Sequence, residues 1–306
     1  MPQLSNNQQL RQLANLELLA RQVVEGFITG LHQSPFHGFS VEFAEHRLYN
    51  SGESVKNIDW KLLARTDKLF VKQFEEETNL RCYLLLDTSS SMNFPPVGTS
   101  KLEFSIYAIA SLMYLFKQQR DAFGLCLFSD QMDWISQARS TSAHLFYLFA
   151  ELEKAFAAPK RHTATNITQT LHFIANEIHQ RSMVIIFSDM MENSMDPEKA
   201  AELFAALRHL KYRRHEVMIF NVIAPGEERD FNFDNRPHHF IDMETGKEVR
   251  VQPGQVRDSY RQAVAAYRQQ LHLKCAQYGI QLMDADIDKG YQAILRSFLI
   301  KRNSMI

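Results

Sequence analysis

Five oxygen-bearing side chains stand at spacings that could hold a hard cation. Asp87-Thr88-Ser89-Ser90-Ser91 follows directly on the apolar run CYLLL, so a carboxylate and two alternate hydroxyls leave the end of a predicted strand. Asp189 ends a second apolar run, MVIIFS, and Thr165 lies in the loop RHTATN ahead of a predicted helix. In doubly wound parallel sheets the carboxyl edge is where ligands bind, and all three pieces fall on that edge. A carboxylate after each of two strands, with three hydroxyls between them, offers oxygen alone. Such donors suit Mg²⁺ or Mn²⁺, held octahedrally at about 2.0–2.1 Å with several waters retained. Asp and Ser in this pattern also build helix-capping turns; the matching Thr165 and Asp189 favour the metal.

Catalysis finds less to build on. A phosphatase of the haloacid dehalogenase type would want a second Asp two positions after its nucleophile, where Ser89 stands. No Gly-x-Ser-x-Gly elbow, His-Glu-x-x-His helix or Walker loop occurs. Two-metal hydrolysis draws on several clustered carboxylates, and the site offers Asp87 and Asp189. A metal-dependent phosphatase or nuclease is therefore the alternative reading, and a non-catalytic binding site the favoured one. His238-His239, near Asp234 and Asp242, would face opposite sides of a strand, which is poor geometry for one ion. Met190, Met191 and Met195 follow Asp189 and read as adaptable contact surface rather than a copper site.

Composition narrows the class. With 34 Lys+Arg against 35 Asp+Glu there is no basic excess of the kind phosphate contacts need, so no nucleic-acid partner is expected. Cys82, Cys126 and Cys275 form no C-x-x-C pair, which suits reduced thiols. The N-terminus MPQLSNNQQLRQL has no apolar core of a secretory signal, and SIYAIASLMYLF falls short of the ~18–20 residues of a membrane span. The expectation is a soluble, cytoplasmic protein with no membrane span.

The elements that must position these residues follow from periodicity. An amphipathic helix is predicted over residues 6–31, from a stripe including Leu10, Leu13, Leu16, Leu18, Val24 and Phe27. Between Gly38 and Glu77 the pieces FSVEFAEH and KLFVKQFEEE read as strands around a loop containing Ser51 and Gly52. From residue 80 strands alternate with helices. CYLLLD, AFGLCLFS, MVIIFSD, EVMIFNVIA and IQLMDAD are strand runs, with MDWISQA as an edge strand. Helices are predicted at Lys101–Gln119, Ser142–Phe156, Ile167–His179, Pro197–Arg214, Gln255–Tyr278 and from Tyr291. HHFIDMETGKEVRVQP interrupts the rhythm as a hairpin, with Thr245-Gly246 near its turn. Apolar runs alternating with helices imply an α/β fold, a mostly parallel sheet covered on both faces.

DTSSS, a loop Thr and a strand-end Asp resemble the metal-ion-dependent adhesion site of von Willebrand factor A domains. The resemblance implies that Ser89, Ser91 and Thr165 bind Mg²⁺ through hydroxyls and that Asp87 and Asp189 act directly or through water. One position is then left for an acidic residue of a partner. The family's loop is commonly Gly-Gly-Thr-Asn; here it is Thr163-Ala164-Thr165-Asn166, so Thr163 stands as an alternative ligand to Thr165.

The stretch GFSVEFAEHRLYNSGESVKNIDWKLLARTDKLFVKQFEEETN is similar to the signature of family 58 of the domains of unknown function, in which it precedes a von Willebrand A-like core. The EFAEHR-Y run, IDWK, AR-D-L and KQFEEE all lie between Glu42 and Glu77, with Ser51-Gly52-Glu53 where Pro-Gly-Asp is usual and Lys56 where Arg is usual. The expected organisation is residues 1–79 as N-terminal helix and signature segment packed on the core. Residues 80–306 would be the von Willebrand A-like (Rossmann-like) domain with a hairpin insertion at about 228–253. Glu42, Glu45, Arg47, Asp59, Trp60, Arg65 and Lys72 would lock the signature segment or meet a partner. The resemblance further implies a MoxR-type AAA+ ATPase as partner, an acidic-residue-bearing client, and chaperone-like maturation of protein complexes.

Overall fold

The computed structural model of the protein describes residues 16–26, 46–48, 63, 65–66, 69–72, 80–158, 166–191, 197–244, 246–290 and 292–303. The chain divides into two compact units, Ile28–Asn79 and the remainder, Met1–Phe27 with Leu80–Ile306. In the smaller unit β1 (His46–Leu48) pairs antiparallel with β2 (Phe70–Lys72), Arg47 opposite Val71. Glu42, Glu45, Asp59, Trp60 and the loop containing Ser51 and Gly52 lie outside the described residues, as do the side chains of Arg47 and Lys72.

In the larger unit the first helix, α1, is described over 16–26. It buries Leu16, Ala20 and Val24, an i, i+4, i+8 row, whereas Leu18 of the predicted stripe faces solvent. The central element is a six-stranded sheet. Its strands are β3 (Arg81–Asp87), β4 (Ala122–Phe128), β5 (Met132–Ile135), β6 (Met183–Ser188), β7 (Glu216–Ile223) and β10 (Gln281–Asp286), in the order β10-β7-β6-β3-β4-β5. All neighbours are parallel except β5, which closes the edge antiparallel to β4. The fold is thus the expected α/β class. The inner strands β3, β4, β6 and β7 are nearly continuous apolar runs because both faces of the sheet are covered there.

One face carries α4 (Ile167–Glu177), α5 (Pro197–Tyr212) and α6 (Pro253–Gln277). There Leu85, Val184, Ile186, Val217 and Ile219 share a core layer with Leu171, Leu203, Leu207 and Leu271. The alternate strand residues turn to the opposite face, which α2 (Lys101–Gln118), α3 (Ser142–Ala157) and α7 (Gln292–Asn303) cover. On that side Phe116 of α2 meets Phe298 of α7 edge-on at 4.9 Å, and His144 of α3 bonds the Phe123 carbonyl of β4 at 3.1 Å. Among the described residues no helix is long and apolar enough to cross a membrane.

Element ends differ from the sequence reading for local reasons. Helix α6 starts at Pro253, not Gln255, because proline's fixed φ suits the first turn and its missing N–H is not needed there. Helix α5 stops at Tyr212, where Arg214 takes a left-handed φ of 64° and the His215 N–H returns to the Leu210 carbonyl at 3.1 Å. The insertion forms a two-stranded hairpin, β8 (His238–Ile241) with β9 (Glu248–Val251), whose connection passes through Gly246 at φ +68°.

Candidate functional site

Strands β3 and β6 are neighbours, so their carboxyl ends set Asp87 beside Ser188 and Asp189. Asp87 is fully buried. Its Oδ1 accepts the Ser89 N–H at 2.9 Å, which bends the chain away from the strand, and its Oδ2 accepts the Ser188 hydroxyl at 2.7 Å. Thr88 holds the bend on the sheet by donating N–H and Oγ1–H to the Phe128 carbonyl at 2.8 and 2.9 Å. A short 3₁₀ turn, Ser90–Asn93, follows, and it brings the Ser91 hydroxyl within 3.1 Å of that of Ser89. The Ser91 side chain also lies near enough to Asp189 to help lower its carboxyl.

Asp189 is held through both of its carboxylate oxygens. Its Oδ1 accepts the Met191 N–H at 3.2 Å, and its Oδ2 accepts the Lys101 ammonium at 2.7 Å. Met190 between them adopts a left-handed φ of 54°, held by Tyr267, whose hydroxyl donates to the Met190 carbonyl at 2.7 Å. Met190 is buried, so the first methionine after Asp189 belongs to the core and not to a contact surface.

Lys101 and Glu228 are site residues that the sequence reading missed. Lys101 opens α2 and is only 1% exposed. Its ammonium bridges Asp189 to the carboxylate of Glu228, which sits in the turn Pro225–Arg229 after β7. Glu228 also accepts the Ala224 N–H at 2.8 Å. A signal for Lys101 existed: a cation in the first turn of a helix opposes the helix dipole and needs acidic partners.

Charges in this cluster are strongly perturbed. Burial first, and then the nearby Asp189 charge, push the Asp87 carboxyl up to about 7, against hydrogen bonds from Ser89 and Ser188. Burial also raises Asp189, but the Lys101 ammonium outweighs it and holds Asp189 below the usual carboxylate range. Burial by itself would lower Lys101; Asp189 and Glu228 reverse the sign and hold it above the usual lysine range. Glu228 is raised, mainly by burial, with Lys101 opposing.

Of the predicted site residues, Asp87, Ser89 and Ser91 are joined by hydrogen bonds, and Asp189 lies beside them. Thr163 and Thr165 lie outside the described residues. Asn166, next in the chain, is tied to the sheet edge by its N–H to the Ser129 carbonyl at 2.7 Å and caps α4 with its side chain. The donor set fits a hard cation in chemistry and in spacing. Adjacent ligands of an octahedron with 2.0–2.1 Å bonds lie about 2.9 Å apart, and the Ser89 and Ser91 hydroxyl oxygens lie 3.1 Å apart. Among the described residues no group of three His, Cys, Asp or Glu side chains is placed to hold a metal.

Other candidates separate. His238 pairs with Asp234 and His239 with Glu248, so the adjacent histidines serve different partners. A cavity of about 180 Å³ opens between the ends of β7 and β10 and is lined by Arg229, Asp284, Asp286 and Lys289 but by none of the four clustered residues.

The chain is 25% identical over 295 residues to uncharacterised proteins of Mycobacterium bovis and Mycobacterium tuberculosis, covering 95% of this chain and 88% of theirs. Among solved structures it is similar to the conserved hypothetical protein BatB of Bacteroides thetaiotaomicron, at 17% identity and TM-score 0.45, over 74% of this chain and 99% of that one. It is also similar to the VWA domain of SpRpn10, at 12% identity and TM-score 0.38, over 71% and 93%. The family model described as protein of unknown function DUF58 matches residues 45–270, and this chain belongs to that family.

Proposed function

We propose that the protein is a non-catalytic, cytoplasmic adaptor that captures a protein partner through a Mg²⁺-dependent adhesion site. The observation that supports it is the clustering of Asp87, Ser89, Ser91 and Asp189 at the carboxyl edge of the sheet, with two hydroxyls at the spacing of neighbouring metal ligands. Ser89 and Ser91 would hold the ion directly, with Thr165 or Thr163 as the third hydroxyl. Asp87 and Asp189 would supply the charge, directly or through water. Mn²⁺ suits the same donors. When bound, the ion supplies an open position for a carboxylate of the partner.

The chain's own residues do the rest. Asp87 orients Ser89 through the backbone N–H, Ser188 holds Asp87 in place, and the Met190 bend keeps Asp189 turned toward Ser91. Two carboxylates among the proposed ligands suit binding better than two-metal hydrolysis. Resemblance to the family supplies the expected partner, a MoxR-type AAA+ ATPase, and a client bearing an exposed acidic residue, in chaperone-like maturation of protein complexes.

The test is a pull-down from native lysate with Mg²⁺ and again with EDTA, the retained proteins being identified by mass spectrometry. Retention of an AAA+ ATPase or a defined client only with Mg²⁺ is expected. Retention indifferent to EDTA would move the interface away from Asp87 and its neighbours. Absence of any partner, with phosphatase or nuclease activity that needs the metal, would replace the adaptor by an enzyme.

A further inference from the structure

Resting on the metal-site reading above, we infer that Lys101 is a tethered cation that sets the strength of the site for divalent ions. Its ammonium is 1% exposed and bonds Asp189 Oδ2, one of the proposed ligands, at 2.7 Å, while its other carboxylate partner is Glu228. The ammonium lies between two carboxylates and brings one positive charge to the cluster. It neutralises one of the two negative charges that Asp189 and Glu228 bring to the cluster.

Divalent affinity follows the count of ligand charges and the rigidity of the site. The trio Asp189, Glu228 and Lys101 therefore presents one net negative charge to an incoming ion. Without the lysine it would present two, and with Glu228 also made neutral in the presence of lysine, none. A second cation close to the bound metal repels it through a medium that screens poorly. The geometry makes Lys101 a restraint on affinity, keeping the site reversible rather than permanently loaded.

The position of Glu228 extends this restraint beyond the metal shell. The Tyr260 hydroxyl of α6 donates to the Glu228 carbonyl at 2.9 Å, so the lysine joins the end of β6, the turn after β7 and a helix on the face bearing α4 and α5. A role in packing alone would make every disruption of this bridge weaken the site. A charge-setting role gives opposite signs to its two ends. Removing the ammonium tightens metal binding, and removing the Glu228 charge loosens it.

The experiment is calorimetric titration of MgCl₂ at constant ionic strength into the full chain and its variants Lys101→Met, Lys101→Gln, Glu228→Gln and Asp87→Asn, with melting temperature recorded at each Mg²⁺ concentration. Lys101→Met is expected to bind Mg²⁺ about tenfold or more tighter than the natural chain, and Glu228→Gln about tenfold weaker. Lys101→Met should also melt lower in EDTA and regain its melting temperature with Mg²⁺, since the ion then supplies the missing positive charge. Lys101→Gln, which keeps a hydrogen-bond donor, should follow the same direction. Unchanged or weaker Mg²⁺ binding by both lysine variants overturns the inference, as does failure of both to be rescued by any Mg²⁺ concentration. The underlying reading fails separately. If the natural chain binds Mg²⁺ no better than Asp87→Asn does, the ion is not held at Asp87, and both conclusions fall.

Discussion

Two regions of the larger unit hold acidic and basic side chains in pairs, and they use them in opposite ways. At the carboxyl ends of β3 and β6, Lys101 and Asp189 are 1% and 4% exposed and are bonded at 2.7 Å. In the hairpin insertion, His239 and Glu248 sit across β8 and β9 at 2.9 Å, but they are 42% and 58% exposed. The contact lengths hardly differ; the surroundings do. Water screens the hairpin pair and can replace either partner, so such pairs contribute about 0–1 kcal/mol. At the sheet edge a charge that loses its partner has no water to turn to. Similar residue types thus give a surface decoration in one place and a fixed electrostatic device in the other.

The sharpest way to break this comparison is to remove one partner from each. Lys101→Ala in EDTA leaves the buried Asp189 and the part-buried Glu228 without their cation and should cost about 3–5 kcal/mol in urea unfolding. A loss under 1 kcal/mol would mean that water enters the cluster freely, and the contrast with the hairpin would vanish.

Ser89→Ala sharpens the same region with a smaller effect on folding. The Ser89 N–H still bonds Asp87, while the hydroxyl's contacts with Ser91 and with the Asp87 carboxyl go, at about 1 kcal/mol. Mg²⁺-dependent retention of the partner should nevertheless be lost, as checked by the pull-down with and without EDTA. A variant that is as stable as expected and still retains its partner would sink the metal bridge.

How much of this was legible in sequence depends on whether the signal was local. Runs such as CYLLL and MVIIFS announce buried parallel strands because their apolar character is continuous, and Asp87 and Asp189 were placed by being the residues that end them. Ser89 and Ser91 followed from a spacing of two in one loop. Lys101 and Glu228 were not legible as a pair. They lie 127 residues apart, and Lys101 is 88 residues from Asp189, so only the crossing of β6 and β7 beside α2 brings them together. In sequence Lys101 shows only as a cation at a helix start, and its burial and its partners are properties of the assembled sheet edge. The first helix shows the same limit on a smaller scale, since the periodic stripe contained Leu18 but tertiary packing buries Ala20 instead.

Glu153 on α3 lies between the two extremes and gives an intermediate test. Its Oε1 is buried with no hydrogen-bond partner among the described residues, and burial pushes its carboxyl up to about 7. The folded protein therefore binds a proton more tightly than the unfolded chain does. Stability falls as pH rises from about 4.5 toward 7, and the cost is complete above 7. The side chain is only part-buried, so the penalty is reduced by screening. Glu153→Gln should stabilise the protein by about 0.5–1 kcal/mol at pH 8 and by nothing near pH 4. Urea unfolding at the two pH values checks it, and an equal effect at both would mean that the charge plays no part.

Glu248→Gln in the hairpin should produce the smallest change. The substitution keeps the length of the side chain and an acceptor for His239, and it removes a charge that water already solvates. A shift within about 0.5 kcal/mol is expected at neutral pH, shrinking further as salt is added. The hairpin register does not depend on the pair, because the strands are held by backbone bonds with Phe240 opposite Val249. Phe240 also packs on Phe231 and Phe233, at ring separations of 5.6 and 5.1 Å. A salt-insensitive loss of 2 kcal/mol or more would show that the hairpin pair is shielded from solvent as the Lys101 bridge is. The two regions would then differ in chemistry but not in kind, and burial would no longer explain why one set of charges can gauge a metal and the other cannot.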